Sequence, residues 1–213
     1  MSYDAFAETF SRSRKNLHWP ELEYIIEDMK AQWYTSVLDI GCGNGRFLEE
    51  IKNSKFKIQN YLGIDSSAEM IKEANKLHQT NHFAVFPMEM IQNCWSIQWK
   101  LFDAILFLAS FHHLDSQEKR TQVLQNAKKL LRPNGRIYMT NWNLREQPKY
   151  ENSHLWDGEF DIKIGEFSRY YHGFTSTELD ELFSESGYQI IENRVFDGGR
   201  NILSILGSIE ERS

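Results

Sequence analysis

The apolar positions of this chain alternate between a helical and a strand-like rhythm. Leu22, Ile25, Ile26 and Met29 recur at helical spacing within residues 19–33, and Pro20 suits a first helical turn. Ser36 to Ile40 then reads as a short buried strand that runs into Gly41-Cys42-Gly43-Asn44-Gly45. A helical stretch follows from Arg46 to about Lys52, then a strand over Tyr61–Ile64 that ends at Asp65. The pattern predicts a helix from Ser67 to about Leu77, with Ser66 or Ser67 as its cap, and a third strand at His82–Phe86. Residues 87–100 show no clean period. Phe102–Leu108 is a strongly apolar strand, and a helix spans about Ser116 to Leu131. Arg132-Pro133-Asn134-Gly135 is a turn signal before a strand at Arg136–Asn141. Residues 143–168, with Pro148, Gly158 and Gly165, read as an insertion. A helix over Ser176–Ser186 stops at Gly187, and strands at Tyr188–Phe196 and Ile202–Leu206 flank Asp197-Gly198-Gly199, a hairpin signal.

This strand–helix alternation predicts an α/β fold: an open, mostly parallel, seven-stranded sheet with helices on both faces and an antiparallel hairpin at one edge. Residues 1–213 form one expected domain. Residues 1–34 act as an N-terminal helical cap, and residues 143–174 as an insertion near the substrate site. Ligands of such folds bind where the strand order reverses, outside the carboxyl ends of the strands.

Composition narrows the classes. With 14% aromatic residues the chain has much to bury, which excludes a disordered tail. Two cysteines, Cys42 and Cys94, exclude a disulfide scaffold. The longest apolar run, Ala104 to Phe111, is too short to cross a bilayer. Asp4, Glu8, Arg12 and Arg14 without an apolar block give no signal peptide, so a cytoplasmic protein is expected, with no membrane partner. A net charge of −6 argues against unaided binding to a phosphate backbone.

The loop between the first strand and its helix carries the chemistry. A glycine loop at a helix N-terminus can bind pyrophosphate, so a nicotinamide dinucleotide is one reading. Against it, the spacing is G-x-G-x-G with Arg46 where that fingerprint needs glycine, and Asp39 stands two residues before the first glycine. An acid there would repel a phosphate and suits a ligand bearing an ammonium group. Asp65, twenty residues after Gly45, can accept both hydroxyls of a ribose. His112 and His113 are adjacent and cannot easily reach one ion together, and no Cys or His cluster completes a metal site.

On these residues the chain resembles the class I S-adenosylmethionine-dependent methyltransferases, across roughly residues 35–206. The resemblance implies a Rossmann-like sheet and S-adenosyl-L-methionine as cofactor. It implies that Asp39, Gly41, Gly43 and Asn44 hold the methionine part, that Asp65 with Ser66 beside it holds the ribose, and that Met88, Glu89 and Met70 border the adenine. Two further stretches resemble the tRNA wobble-uridine carboxymethyl methyltransferases. Tyr3-Asp4, Phe6-Ala7, Phe10-Ser11, Ser13-Arg14 and Trp19-Pro20 follow that group's N-terminal signature. Arg169-Tyr170-Tyr171-His172 with Phe174, Phe111-His112-His113-Leu114 and Glu146-Gln147 follow its later segments. That resemblance implies tRNA as substrate and a small activating protein subunit as partner. The acidic stretch 143–168 points away from tRNA, toward a small-molecule O- or N-methyltransferase. A non-catalytic cofactor-binding subunit is the reading of another class.

Methyl esterification of a carboxylate needs no general base, because the acceptor is ionised at neutral pH. It needs one carboxylate oxygen held and the other left to attack, which a guanidinium fork does well. Arg14 and Arg169 are the expected clamps, with Tyr170 and His113 as further donors. Arg14 and Trp19 are alternatively read as a lid over the cofactor. A phenol, alcohol or amine acceptor would require a base, and His112 or His113 would supply it.

Overall fold

The computed structural model describes residues 19–80, 82–94, 97, 100–164 and 167–208. Among the described residues the first helix, α1 (Pro20–Ala31), precedes β1 (Ser36–Ile40), α2 (Arg46–Asn53), β2 (Asn60–Asp65), α3 (Ala68–His78) and β3 (Phe83–Val85). Then come β4 (Phe102–Leu108), α4 (Gln117–Lys128) and β5 (Leu131–Trp142). A hairpin of β6 (Glu159–Ile164) and β7 (Phe167–His172) follows, and α5 (Ser176–Glu185), β8 (Tyr188–Val195) and β9 (Asn201–Ser208) come last among the described residues.

The main sheet has seven strands in the order β3-β2-β1-β4-β5-β9-β8. Strands β1 to β5 are mutually parallel; β9 runs antiparallel to both β5 and β8. The expected edge hairpin is present, and its reversed strand is the inner member, tucked against β5. Chain order reverses at the β1–β4 pair, which opens a crevice above the ends of those two strands. All five residues of β1 are buried, as a central strand covered on both faces must be.

Strand alternation divides the core in two. Leu38, Ile40, Ile105, Phe107, Ile137 and Met139 face α4 and α5. Val37, Ala104, Leu106 and Tyr138 face α1, α2 and α3, which contribute Leu22, Ile25, Met29, Phe47, Ile51, Ile71 and Ala74. Helix α1 is also tied to β5 by polar contacts: Asp28 accepts from Arg136 on both oxygens and from the Tyr138 hydroxyl.

Three sequence expectations shift. The helix from Ser116 stops at Lys128, because Leu131 pairs with Phe102 and so opens β5. The register then jumps to Ala104↔Arg136, so the turn signal loops out of the strand, with Asn134 at φ +63°. The stretch 87–100 contains a 3-10 turn at Met88–Asn93. The insertion is built from 3-10 turns at Leu144–Glu146 and Pro148–Ser153 followed by the β6–β7 hairpin, so Arg169–His172 lie on a strand. The N-terminal signature that includes Arg14 lies outside the described residues. Among the described residues, no helix is long and apolar enough to cross a membrane, and no cluster of three or more His, Cys, Asp or Glu side chains could hold a metal ion.

Candidate active site

The crevice begins where β1 ends. The N–H groups of Gly41 and Cys42 both donate to the Ile64 carbonyl, which pins the loop onto β2. Gly41 lies at φ +75°, and a Cβ there would overlap the Ser110 side chain, whose hydroxyl donates to the Ile40 carbonyl at 2.6 Å. Gly43 also has positive φ (+54°), yet a Cβ on it would meet no described residue within 4 Å. The first glycine allows two segments to touch; the second leaves open space.

Asp65, at the end of β2, accepts from the Gly43 N–H and the Ser67 N–H, each at 2.9 Å. Ser67 in turn caps α3 by accepting from the Met70 N–H. Asp39 is deeper. Its Oδ2 accepts from the Tyr61 hydroxyl at 2.6 Å, and its Oδ1 is buried with no hydrogen-bond partner among the described residues. Burial raises its carboxyl to about 7, against the Tyr61 bond and with a small further push from Asp65.

A cavity of about 560 Å³ spreads over this loop. Asp39, Gly41, Gly43, Asn44, Asp65 and Ser66 form its floor, and Met70, Met88 and Glu89 border it from α3 and the turn after β3. Trp19 and Arg46 stand together on its wall, with the guanidinium carbon 4.5 Å from the indole centroid. The cofactor positions expected from sequence therefore converge on one space.

The far wall is aromatic. Beyond β4 the chain bends at Ala109 (φ +53°) into a 3-10 turn, Phe111–His113. His113 Nδ1 lies 3.2 Å from the Tyr170 carbonyl, which can only accept, so Nδ1 carries the proton and Nε2 is the acceptor. His112 has the opposite tautomer, because its Nδ1 accepts from the Trp142 N–H. The ring of Tyr171 packs 4.5 Å from His113 and 5.1 Å from His112, and stacks on Trp142 at 5.0 Å; Trp142 also stacks on Tyr150. Arg169 enters the same wall, and burial lowers its guanidinium to about 10, so it remains charged at neutral pH.

Of the four expected catalytic residues, the cavity includes His113 and Arg169, and Arg14 lies outside the described residues. Tyr170 is not in the wall. Alternation along β7 sends it to the opposite face from Arg169 and Tyr171, and its hydroxyl accepts from Arg120 at 3.1 Å. The residues that sequence reasoning missed are Tyr171, Trp142 and Ser110. Tyr171 stands two positions after Arg169, so a strand assignment there would have named it.

The comparisons with known proteins agree with this geometry. Residues 38–137 match a family described as a methyltransferase domain. The tRNA (carboxymethyluridine(34)-5-O)-methyltransferase of Schizosaccharomyces pombe is 25% identical, with 90% of this chain and 88% of that protein covered. The protein of the same name from Arabidopsis thaliana is 26% identical over 68% of this chain, which spans only 32% of it. Among solved structures, an S-adenosylmethionine-dependent methyltransferase from Clostridium acetobutylicum superposes with TM-score 0.73 at 15% identity, covering 97% of this chain and 98% of that one. The S-adenosylmethionine-bound amino pentose methyltransferase CalS10 from Micromonospora echinaspora gives 0.67 at 15% identity, covering 98% of each.

Proposed function

We propose, from the premise that this chain is an S-adenosylmethionine-dependent methyltransferase, that it transfers the methyl group to a carboxylate, with a carboxymethylated uridine of tRNA as the acceptor that its relatives' names point to. The observation that carries the carboxylate reading is Arg169: a partly buried, charged guanidinium in the wall opposite the glycine loop.

The residues fit the cofactor. Among the described residues, Gly43 leaves bare space over the loop and Asp39 Oδ1 is a buried acceptor without a donor, matched to an ammonium group. When bound, S-adenosylmethionine supplies an electrophilic methyl on a positively charged sulfur. Arg169 binds one oxygen of the acceptor carboxylate and leaves the other to attack. The rings of Trp142, Tyr171 and His113 exclude water, which strips the carboxylate of competing hydrogen bonds. No proton has to move, so His113 serves as a polar contact and not as a base.

A second reading has its own observation. Glu49, Glu50, Glu73 and Glu89 border the same cavity, an acidic rim that favours a small acceptor over a polyanion. Incubation with methyl-labelled cofactor, followed by separation of tRNA from small molecules, tests both. Label in tRNA that mild alkali releases is the result expected for an ester. Alkali-stable label in tRNA overturns the ester, and label confined to small molecules overturns the tRNA assignment.

A further inference from the structure

We propose that His172 is a positioning residue: as a doubly protonated imidazolium shared between Glu159 and Glu178, it fixes the β6–β7 hairpin so that Arg169 and Tyr171 border the cavity. This rests on reading that wall as the acceptor end, and it concerns the last residue of a sequence motif whose other members already have places.

The argument is a count of hydrogens. His172 is buried, with Nδ1 3.0 Å from Glu159 Oε1 and Nε2 2.5 Å from Glu178 Oε1. An ionised carboxylate only accepts, and a neutral imidazole has one N–H. A neutral ring would therefore turn a lone pair toward one of the two carboxylates. Both contacts are attractive only when the ring carries two protons.

The neighbourhood is consistent with that charge. Burial pushes the Glu178 carboxyl up, but the hydrogen bond and charge of His172, together with the Thr175 N–H and the charge of Arg120, more than offset it, so it sits below the ordinary glutamate range. Tyr170 of β7 directs its hydroxyl toward Glu159 and Arg120. Arg120 of α4 also acts on Glu178, and Arg145 crowds Gly158 together with the His172 ring. Phe174 meets that ring edge-on at 4.5 Å. Two arginines thus oppose a third positive charge, and the two carboxylates in direct contact lie closest to the ring.

Glu159 belongs to β6, His172 to β7 and Glu178 to α5, so one ring ties three elements. His172 follows Tyr171 on the strand, so its ring lies on the far side from the cavity and acts only through the backbone.

The test needs no methyl acceptor, so its failure is separate from failure of the esterification reading. In nitrogen-15 histidine spectra of the whole protein, with the signal assigned by its loss in His172→Gln, both ring nitrogens of His172 are protonated at pH 7.5. Hydrogen-exchange protection of the β6 and β7 amides falls about tenfold between pH 6 and 9, while that of β1 and β4 is unchanged. Glu178→Gln gives the decisive contrast. Its amide N–H can donate to a neutral ring, so the hairpin keeps its protection to pH 9 with one ring proton. A singly protonated His172 at pH 7.5 in the unsubstituted protein overturns the proposal. So does pH-independent protection. If His172→Gln does not fold, the comparison of the unsubstituted protein with Glu178→Gln decides alone.

Discussion

The Tyr61 hydroxyl donates to one oxygen of Asp39 at 2.6 Å and leaves the other buried without a partner among the described residues. Burial raises this carboxyl to about 7, so near neutral pH it is half protonated until a cation arrives. Ionisation favours an ammonium ligand, so the affinity for S-adenosylhomocysteine rises with pH. From pH 8 to pH 6 the Kd weakens about tenfold, the loss expected when nine-tenths of the carboxylate is protonated. The ligand-free fold has the opposite slope. The native state holds a proton that the unfolded chain releases near 4, so stability falls as pH rises from about 4 to 7. Calorimetry between about pH 6 and 8 checks the first, and thermal melts between about pH 4 and 7 the second. A pH-independent Kd that Asp39→Asn leaves unchanged sinks the assignment.

Gly41 and Gly43 share positive φ but differ in what surrounds them. A methyl group on Gly41 overlaps Ser110, so Gly41→Ala unfolds the loop and lowers Tm. On Gly43 it enters open space, at a backbone cost of about 1–2 kcal/mol. Gly43→Ala therefore folds, with cofactor affinity reduced because the methyl occupies the space over the loop. Equal loss of Tm in the two variants would contradict the contrast.

How much of this was legible beforehand differs between the two ends of the cavity. The cofactor end was readable because strand, glycine loop and acid are contiguous in sequence: Asp39 is the next-to-last residue of a buried strand and Asp65 ends the next. The orphaned oxygen of Asp39 was not readable, since it depends on Tyr61 reaching across from β2. The acceptor end is assembled from β4, β5 and β7, which lie far apart in the chain. There the polar, Pro- and Gly-punctuated segment 143–168 hid a hairpin. Without the strand period, Tyr170 and Tyr171 could not be sorted onto opposite faces. The helix overrun at Leu131 has a local cause: tertiary pairing with Phe102 outweighs the helical propensity of the last turn.

Arg169 and Tyr170 separate by the same alternation. Arg169→Ala raises the acceptor KM about 10- to 100-fold, the worth of a charged hydrogen bond, with cofactor Kd unchanged. Arg169→Lys recovers only part, because a single ammonium cannot fork. Tyr170→Phe leaves KM within about threefold, since its hydroxyl faces Arg120 away from the cavity. Steady-state kinetics on the three variants checks the order, and a larger effect at Tyr170 than at Arg169 reverses it.

His113 supplies the discriminating pH profile. Its Nε2 is an acceptor, so it is chemically able to act as a base. A carboxylate acceptor needs none, and kcat under saturation is flat from about pH 6 to 9, with His113→Gln costing less than about tenfold. A limb near 6.5 together with a loss of about 10²–10⁴ in His113→Gln transfers the reaction to a phenol, alcohol or amine.

The N-terminal helix is held by an acid as well as by its apolar face. Asp28 accepts two bonds from Arg136, at 2.8 and 2.7 Å, and one from the Tyr138 hydroxyl at 2.6 Å, and Tyr138 is fully buried. Removing the acid in Asp28→Ala strands a buried hydroxyl and a half-shielded guanidinium, a cost of about 2–3 kcal/mol. For a chain of this size that is a Tm loss of about 5–10 °C. Tyr138→Phe alone costs less, because it removes the donor together with its need for a partner. Since both substitutions break the same bond, their effects do not add, and the double variant is less destabilised than the sum by about 1 kcal/mol. Trp19 forms the N-cap of this helix and stands on the cavity wall, so loosening α1 also weakens cofactor binding in Asp28→Ala. Melts and calorimetry on the three variants check this. Additive Tm shifts with an unchanged Kd would mean that the contact neither couples the two side chains nor reaches the cavity.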